Sequence, residues 1–254
     1  MKTIKSSLAL LCIIIIGLMF TSQSFGKIEL ETAVAIWLFD KGSGDIAKDY
    51  SGNGNDGVIE NAKWVDGKFG KALEFNGTDS CVKTGKKLLG TLKEFTIVLW
   101  AKPGDIVTNR VGLIGQNDSV EFGFINPNTV QLWHPSFGGV NAPYKYPKNE
   151  WHHIAGVGSK DSSVVYLDGE VAAKRGPYST QDSGYNVNIG GCGVYDPGGN
   201  WFTGIIDDVA IFSVALTKDD IKTIMNEGLG KVFGITAVSP AGRLTTTWAS
   251  IKAQ

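Results

Sequence analysis

The densest run of oxygen-bearing side chains is Asp49-x-Ser51-x-Asn53-Gly54-Asn55-Asp56-Gly57-x-x-Glu60. Oxygens at alternate positions, glycine at position six and glutamate at position twelve match the spacing of an EF-hand calcium loop. The flanks do not match: Gly42–Asp45 is too glycine-rich for an entering helix, and Val58–Trp64 is β-like. Asp, Asn and Gly at this density also make tight turns without an ion. Catalytic patterns are absent. Glu121 stands alone on its segment, and the adjacent Asp207-Asp208 pair on a strand is expected to point to opposite faces, so neither supplies paired carboxylates. There is no G-x-S-x-G nucleophile elbow. His152 and His153 diverge on a strand, and with His134 they show no zinc-ligand spacing. Gly190-Gly191-Cys192-Gly193 lacks the Lys-Ser/Thr and the helix of a phosphate loop. No catalytic residue is assigned.

Aromatic rings are the remaining candidates, because sugars present flat C–H faces that stack on exposed Trp and Tyr. Trp37 and Trp100 lie in apolar segments and are expected in the core. Trp133 at a strand end, Trp201, and Tyr144, Tyr146, Tyr185 and Tyr195 in polar loops rich in Gly, Asn and Pro can reach solvent. Trp133, Tyr144, Tyr185, Tyr195 and Trp201 form the candidate ligand-binding set. Each is also a common kind of loop anchor.

The elements that position these residues read as strands. Of 254 residues, 33 are glycine and only 19% are charged, which opposes a helical bundle; 10% aromatics exclude a disordered chain. Short β-rich runs recur from Ala33–Asp40 through Phe95–Pro103, Val120–Ile125, Thr129–His134, His152–Ser159, Ser163–Leu167, Glu170–Lys174 and Asn186–Cys192 to Phe202–Ala215. Asp168-Gly169 and Asn126-Pro127-Asn128 signal hairpins, and Asn76-Gly77 is expected to join Ala72–Phe75 to Cys81–Lys83. In Phe95–Ala101 both faces are apolar, which places that strand mid-sandwich. The single helix predicted is Thr217–Glu227, with Thr217 as cap, Asp220 at the capping-box position, and Gly228 as stop.

Met1–Gly26 reads as a secretory signal peptide, with Lys2 and Lys5 before the apolar run Leu8–Phe20. Cleavage near Gly26 predicts a secreted, periplasmic or cell-surface protein with no membrane span in the mature chain. The whole chain carries 24 Lys plus Arg against 25 Asp plus Glu, so no global charge draws it to nucleic acid. Cys81 and Cys192 remain after cleavage. An oxidising compartment permits a disulfide between them, and two separate buried thiols are the alternative.

Several segments together resemble the LamG-like, concanavalin A-like jelly-roll domains of secreted bacterial proteins. They are Ala35-Ile36-Trp37-Leu38-Phe39-Asp40, Gly67-Lys68-Phe69-Gly70-Lys71-Ala72-Leu73-Glu74-Phe75, Trp151-His152-His153-Ile154, Val165-Tyr166-Leu167-Asp168-Gly169 and Phe202-Thr203-Gly204-Ile205-Ile206-Asp207-Asp208-Val209. The resemblance implies an all-β fold, a two-sheet antiparallel jelly-roll sandwich over residues 27–230, adjacent first and last strands, and a tail or extra edge strand over residues 231–254. It also implies one structural calcium ion between the N-terminal segment and the last long strand, pointing to Asp40, Asp49, Asn53 and Asp207. The acidic pattern E-x-D-x-E or E-x-D-x-x-E of similar hydrolases occurs nowhere. The function expected is a secreted non-catalytic binding domain for carbohydrate. An adhesion module recognising an extracellular protein is the alternative, followed by a polysaccharide hydrolase or lyase.

Overall fold

The computed structural model describes residues 28–235. The segment Met1–Gly26, expected to be a signal peptide, and the edge-strand candidate around Val238–Trp248 lie outside the described residues.

The described chain begins with strands β1 (Ala33–Trp37), β2 (Ile46–Ala47), β3 (Gly57–Glu60), β4 (Lys63–Asp66), β5 (Lys71–Asn76) and β6 (Cys81–Lys83). It continues with β7 (Phe95–Pro103), β8 (Val111–Gln116), β9 (Val120–Asn126), β10 (Thr129–His134) and β11 (Gly138–Pro143). Then come β12 (His152–Gly158), β13 (Ser163–Leu167), β14 (Glu170–Arg175), β15 (Val187–Ile189) and β16 (Thr203–Phe212). Two antiparallel sheets result. The first runs β14-β13-β12-β7-β16-β5-β4, with β1 pairing the second half of β16. The second runs β11-β10-β9-β8-β15-β6-β3-β2. This is an all-β jelly-roll sandwich, and its first and last strands are neighbours.

The apolar faces explain the layering. Phe95, Ile97, Leu99 and Ala101 of β7 pack into the core between the sheets with Phe122, Leu132, Ile154 and Ile189. Val98, on the other face, packs with Ala155, Ala210 and Phe212 under helix α1 (Lys218–Glu227). The first sheet is therefore covered on both sides, as the two-sided apolar pattern of β7 requires. Helix α1 starts on a reciprocal Thr217–Asp220 capping box and buries Ile221 and Ile224. Such burial contributes about 1.5–3 kcal/mol for each side chain.

Asp168 (φ +48°) and Gly169 (φ +74°) form the two-residue turn that joins β13 to β14, both in the left-handed region. The Asn76-Gly77 expectation is corrected. β5 pairs with β4 and β16, whereas β6 pairs with β3 and β15 in the other sheet. Asn76 Oδ1 accepts from the Thr78, Asp79 and Ser80 amides, closing a turn that carries the chain between layers.

Candidate functional site

The outward face of the second sheet gathers the polar and aromatic candidates. Cross-strand register places Val58, Lys83, Asn188, Gly115, Glu121, Trp133 and Gly139 in one row across β3, β6, β15, β8, β9, β10 and β11. Strand periodicity turns their neighbours Val82, Ile189, Ile114, Phe122, Leu132 and Val140 into the core.

The segment 190–201, between β15 and β16, folds over the middle of this row. Val194 rests on Gly112 and Gly115: a Cβ on Gly112 would collide with it, and one on Gly115 would strike the Val120 carbonyl and crowd Val194. Tyr195 is buried; its hydroxyl donates to the Gln131 carbonyl (3.2 Å), and its own carbonyl accepts from Arg110 Nη2 and Asn117 Nδ2 (both 2.7 Å). A disulfide joins Cys192 in this segment to Cys81 on β6, with Cα atoms 5.9 Å apart. The crossing divides the face into two cavities.

The cavity on the β6–β15 side measures about 390 Å³. Tyr185, Asn186, Asn188, Lys83 and Trp201 line it. Gly199 (φ +88°) lies against the Trp201 ring, where any side chain would strike the indole. Lys83 Nζ pairs with Glu60 Oε2 at 2.7 Å. Two rings, two amides and one ammonium therefore border one recess, a set able to stack on a sugar and hydrogen-bond its hydroxyls.

The cavity on the β9–β10 side measures about 420 Å³ and is bordered by Glu121, Asp118, Arg110, Gln131, Trp133 and Tyr195. Glu121 is 4% exposed. Burial above all pushes its carboxyl up to about 7; Asp118 and Asp196 push the same way, while Arg110 and the Asp118 amide pull it down.

Of the predicted ring set, Tyr185 and Trp201 meet in the first cavity, and Trp133 and Tyr195 in the second. Tyr195 and Tyr144 are corrected as solvent-facing rings: Tyr195 is 2% exposed and Tyr144 5%, the latter packing edge-on against Phe124, with Tyr146 and His152 on its other sides. The loop position of Tyr144 gives no hint of this, because the apolar wall it meets comes from β9. Sequence reasoning passed over Lys83, Asn186, Asn188 and Gln131; strand alternation marks Lys83 and Gln131 as outward, but which cavity they border follows from sheet order.

The four predicted metal ligands fall into two places. Asp49 accepts four hydrogen bonds, from the Ile36 (3.0 Å) and Ser51 (2.9 Å) amides on Oδ1 and from the Ser51 hydroxyl (2.9 Å) and Asn55 amide (2.8 Å) on Oδ2. Asn53 Nδ2 donates to the Ala33 carbonyl at 2.9 Å. Both tie the Asp49–Asn55 turn to β1. Asp207 instead accepts from the Lys68, Phe69 and Asp208 amides (2.8, 2.9 and 2.8 Å). Asp40 accepts from the Lys71 amide (2.8 Å) and borders a cavity of about 450 Å³ with Asp208. Among the described residues, no three His, Cys, Asp or Glu side chains are grouped to hold a metal ion.

Asp207 and Asp208 sit at a break in regular strand geometry, and their carboxyls accept from different segments, Asp207 from Lys68 and Phe69 and Asp208 from Leu229. The β16–β7 register shifts between Asp207 and Ala210, and Asp208 adopts φ +46°, so both side chains end up buried. Burial chiefly, then the neighbouring Asp208 charge, push Asp207 up to about 8; burial chiefly, then Asp40, push Asp208 up to about 7.

Known proteins with this architecture span binding domains and enzymes. Domain 4 of AbnA, a GH43 extracellular arabinanase from Geobacillus stearothermophilus solved with arabinotriose, has a TM-score of 0.60 at 21% identity, over 76% of this chain and 98% of that domain. Trypanosoma rangeli sialidase has a TM-score of 0.59 at 14% identity, over 76% of this chain but only 32% of the sialidase. The binding domain of Botulinum neurotoxin DC, solved with rat synaptotagmin II, has a TM-score of 0.57 at 14% identity, over 78% of this chain and 52% of that one. No curated protein matches the sequence. At these identities the structural likeness carries the fold alone. The family model for the concanavalin A-like lectin/glucanases superfamily matches residues 76–222, more than half the chain and including both cavities' rings, so the protein belongs to that superfamily.

Proposed function

We propose that this is a secreted, non-catalytic carbohydrate-binding domain that holds glycan in the recess between Tyr185 and Trp201. The observation carrying this reading is the convergence there of two rings, the Asn186 and Asn188 amides and the Lys83 ammonium, in about 390 Å³. Carbohydrate in the arabinanase-domain complex supports the ligand class. A non-catalytic role is supported by the sequence, which holds no E-x-D-x-E or E-x-D-x-x-E run of the kind that similar hydrolases carry on one strand.

A glycan array probed with the protein, with and without calcium, tests the reading. Trp201→Ala is expected to weaken binding to the best array ligand by about five- to thirtyfold, because loss of one stacking platform is worth roughly 1–2 kcal/mol. Unchanged affinity would move the ligand away from this recess. Absence of all glycan binding, with capture of a defined extracellular protein, would favour the adhesion reading.

Calcium enters the same reading as a structural ion at Asp40 and Asp208. One oxygen of each, Asp40 Oδ2 and Asp208 Oδ1, takes no hydrogen bond among the described residues, and both residues border one cavity. Cation binding there would offset the mutual repulsion of buried carboxylates. Thermal melts in calcium and in EDTA test it: a hundredfold excess over Kd is expected to add about 2.7 kcal/mol. Asp208→Asn should abolish the gain, and superimposable melts of the unmodified protein would remove the ion from this account.

A further inference from the structure

We propose that the cavity over β9 and β10 is a second subsite, one that takes a glycosyl residue carrying a free amino group, with its ammonium held by Glu121 and Asp118 and its ring against Trp133. The proposal rests on the reading of this face as glycan-binding, but it concerns a different cavity and a different ligand chemistry.

Arg110, the cation at this site, is already engaged. Its Nη2 donates to the Tyr195 carbonyl at 2.7 Å, its Nε lies 3.5 Å from Asp196 Oδ2, and its guanidinium carbon stands 5.6 Å from the Tyr195 ring centroid. With Arg110 tied to Tyr195 and Asp196, the carboxyls of Asp118 and Glu121 are the acidic groups bordering the cavity. Glu121 is 4% exposed; its Oε1 accepts from Asn117 Nδ2 (3.1 Å) and the Asp118 amide (3.0 Å). Its Oε2 accepts no hydrogen bond among the described residues, although Glu121 borders the cavity. That oxygen is open to the cavity rather than sealed in the core, so a ligand donor entering there would take the place of water on it.

Gln131 adds to the preference for donors. Its Nε2 is committed to Asn141 Oδ1 at 2.7 Å, and its side-chain Oε1 accepts no hydrogen bond among the described residues. An acceptor-rich recess beside an indole ring suits a ligand with several N–H donors and one flat face. A neutral sugar hydroxyl fills one hydrogen bond but adds no positive charge opposite Glu121 and Asp118 beyond that of Arg110, which is already paired with Asp196. An ammonium group does both, and its charge-assisted hydrogen bonds are the stronger kind.

Titration calorimetry near neutrality with a glucosamine tetramer, its fully N-acetylated counterpart and cellotetraose tests the proposal. The glucosamine tetramer is expected to bind at least about tenfold tighter than the other two. Glu121→Gln should bring the three to parity. Glutamine retains the Oε1 acceptor for Asn117 and Asp118, so the turn is kept while the charge is lost. Trp133→Ala should weaken the glucosamine tetramer, whereas Trp201→Ala, in the other cavity, should leave its preference intact. Equal or weaker binding of the glucosamine tetramer, or a preference that survives Glu121→Gln, overturns this subsite. If other glycans still bind on the array, the broader carbohydrate reading stands; if no glycan binds at all, both fall.

Discussion

The Cys81→Ser/Cys192→Ser double variant is expected to lose on the order of 4–5 kcal/mol of stability, the chain-entropy value for a cross-link closing a loop of about a hundred residues. The two cysteines are 111 residues apart in sequence. Their bond ties the segment 190–201 to β6, and through it the wall between the two cavities. Urea unfolding of the double variant measures the loss, and coincident transitions would refute it. Binding at the Tyr185–Trp201 recess should weaken as well. Affinity at the β9–β10 cavity should fall less, because Val194 remains seated on Gly112 and Gly115, and Tyr195 keeps its bonds to Gln131, Arg110 and Asn117.

In EDTA, stability should fall as pH rises from about 6.5 to about 8. Asp207, Asp208 and Glu121 have raised carboxyl pKa values in the folded state, to about 8, 7 and 7. Above pH ~4 the unfolded chain has released these protons while the folded chain still holds them, so stability declines as pH rises toward the folded values. Two histidines act oppositely. Burial pushes His134 down to about 4 and His153 down to about 3, so the unfolded chain takes up protons below ~6.5 that the folded chain refuses, and stability falls as pH drops. Between pH ~4 and ~6.5 the two trends oppose one another. Above ~6.5 only the carboxyls act, with an expected loss of roughly 2–3 kcal/mol by pH ~8.

Asp208→Asn should flatten that slope and raise the melting temperature at pH ~8 in EDTA. Its carbonyl can still accept from the Leu229 amide, which Asp208 Oδ2 does at 2.8 Å, and one of the repelling charges is removed. Asp207→Asn is a poorer probe, since Asp207 uses both oxygens to accept backbone amides and an NH₂ group would face one of them. Melts of the unmodified protein that are flat across this range would show that the Asp207–Asp208 pair ionises without cost.

What was legible from sequence alone is what short-range chemistry decides. The two-sided apolar pattern of β7 required a covered sheet, Asp168-Gly169 required a left-handed turn, and Thr217 with Asp220 required a helix start; all three are present. The motif order added the adjacency of β1 and β16. Strands β8 (VGLIGQ) and β11 (GGVNAP) escaped, because Gly and Pro weaken the strand signal. In β8 those glycines serve the fold by admitting Val194, a contact made from 79–82 residues away along the chain. The site itself was legible only as a set of ring types. Tertiary structure decided that Tyr185 meets Trp201, that Trp133 meets Glu121, that Tyr144 turns inward, and that a register shift buries Asp207 and Asp208 together. Each of these depends on which strands become neighbours and in what register, and a one-residue slip in pairing would send every side chain of a strand to the opposite face.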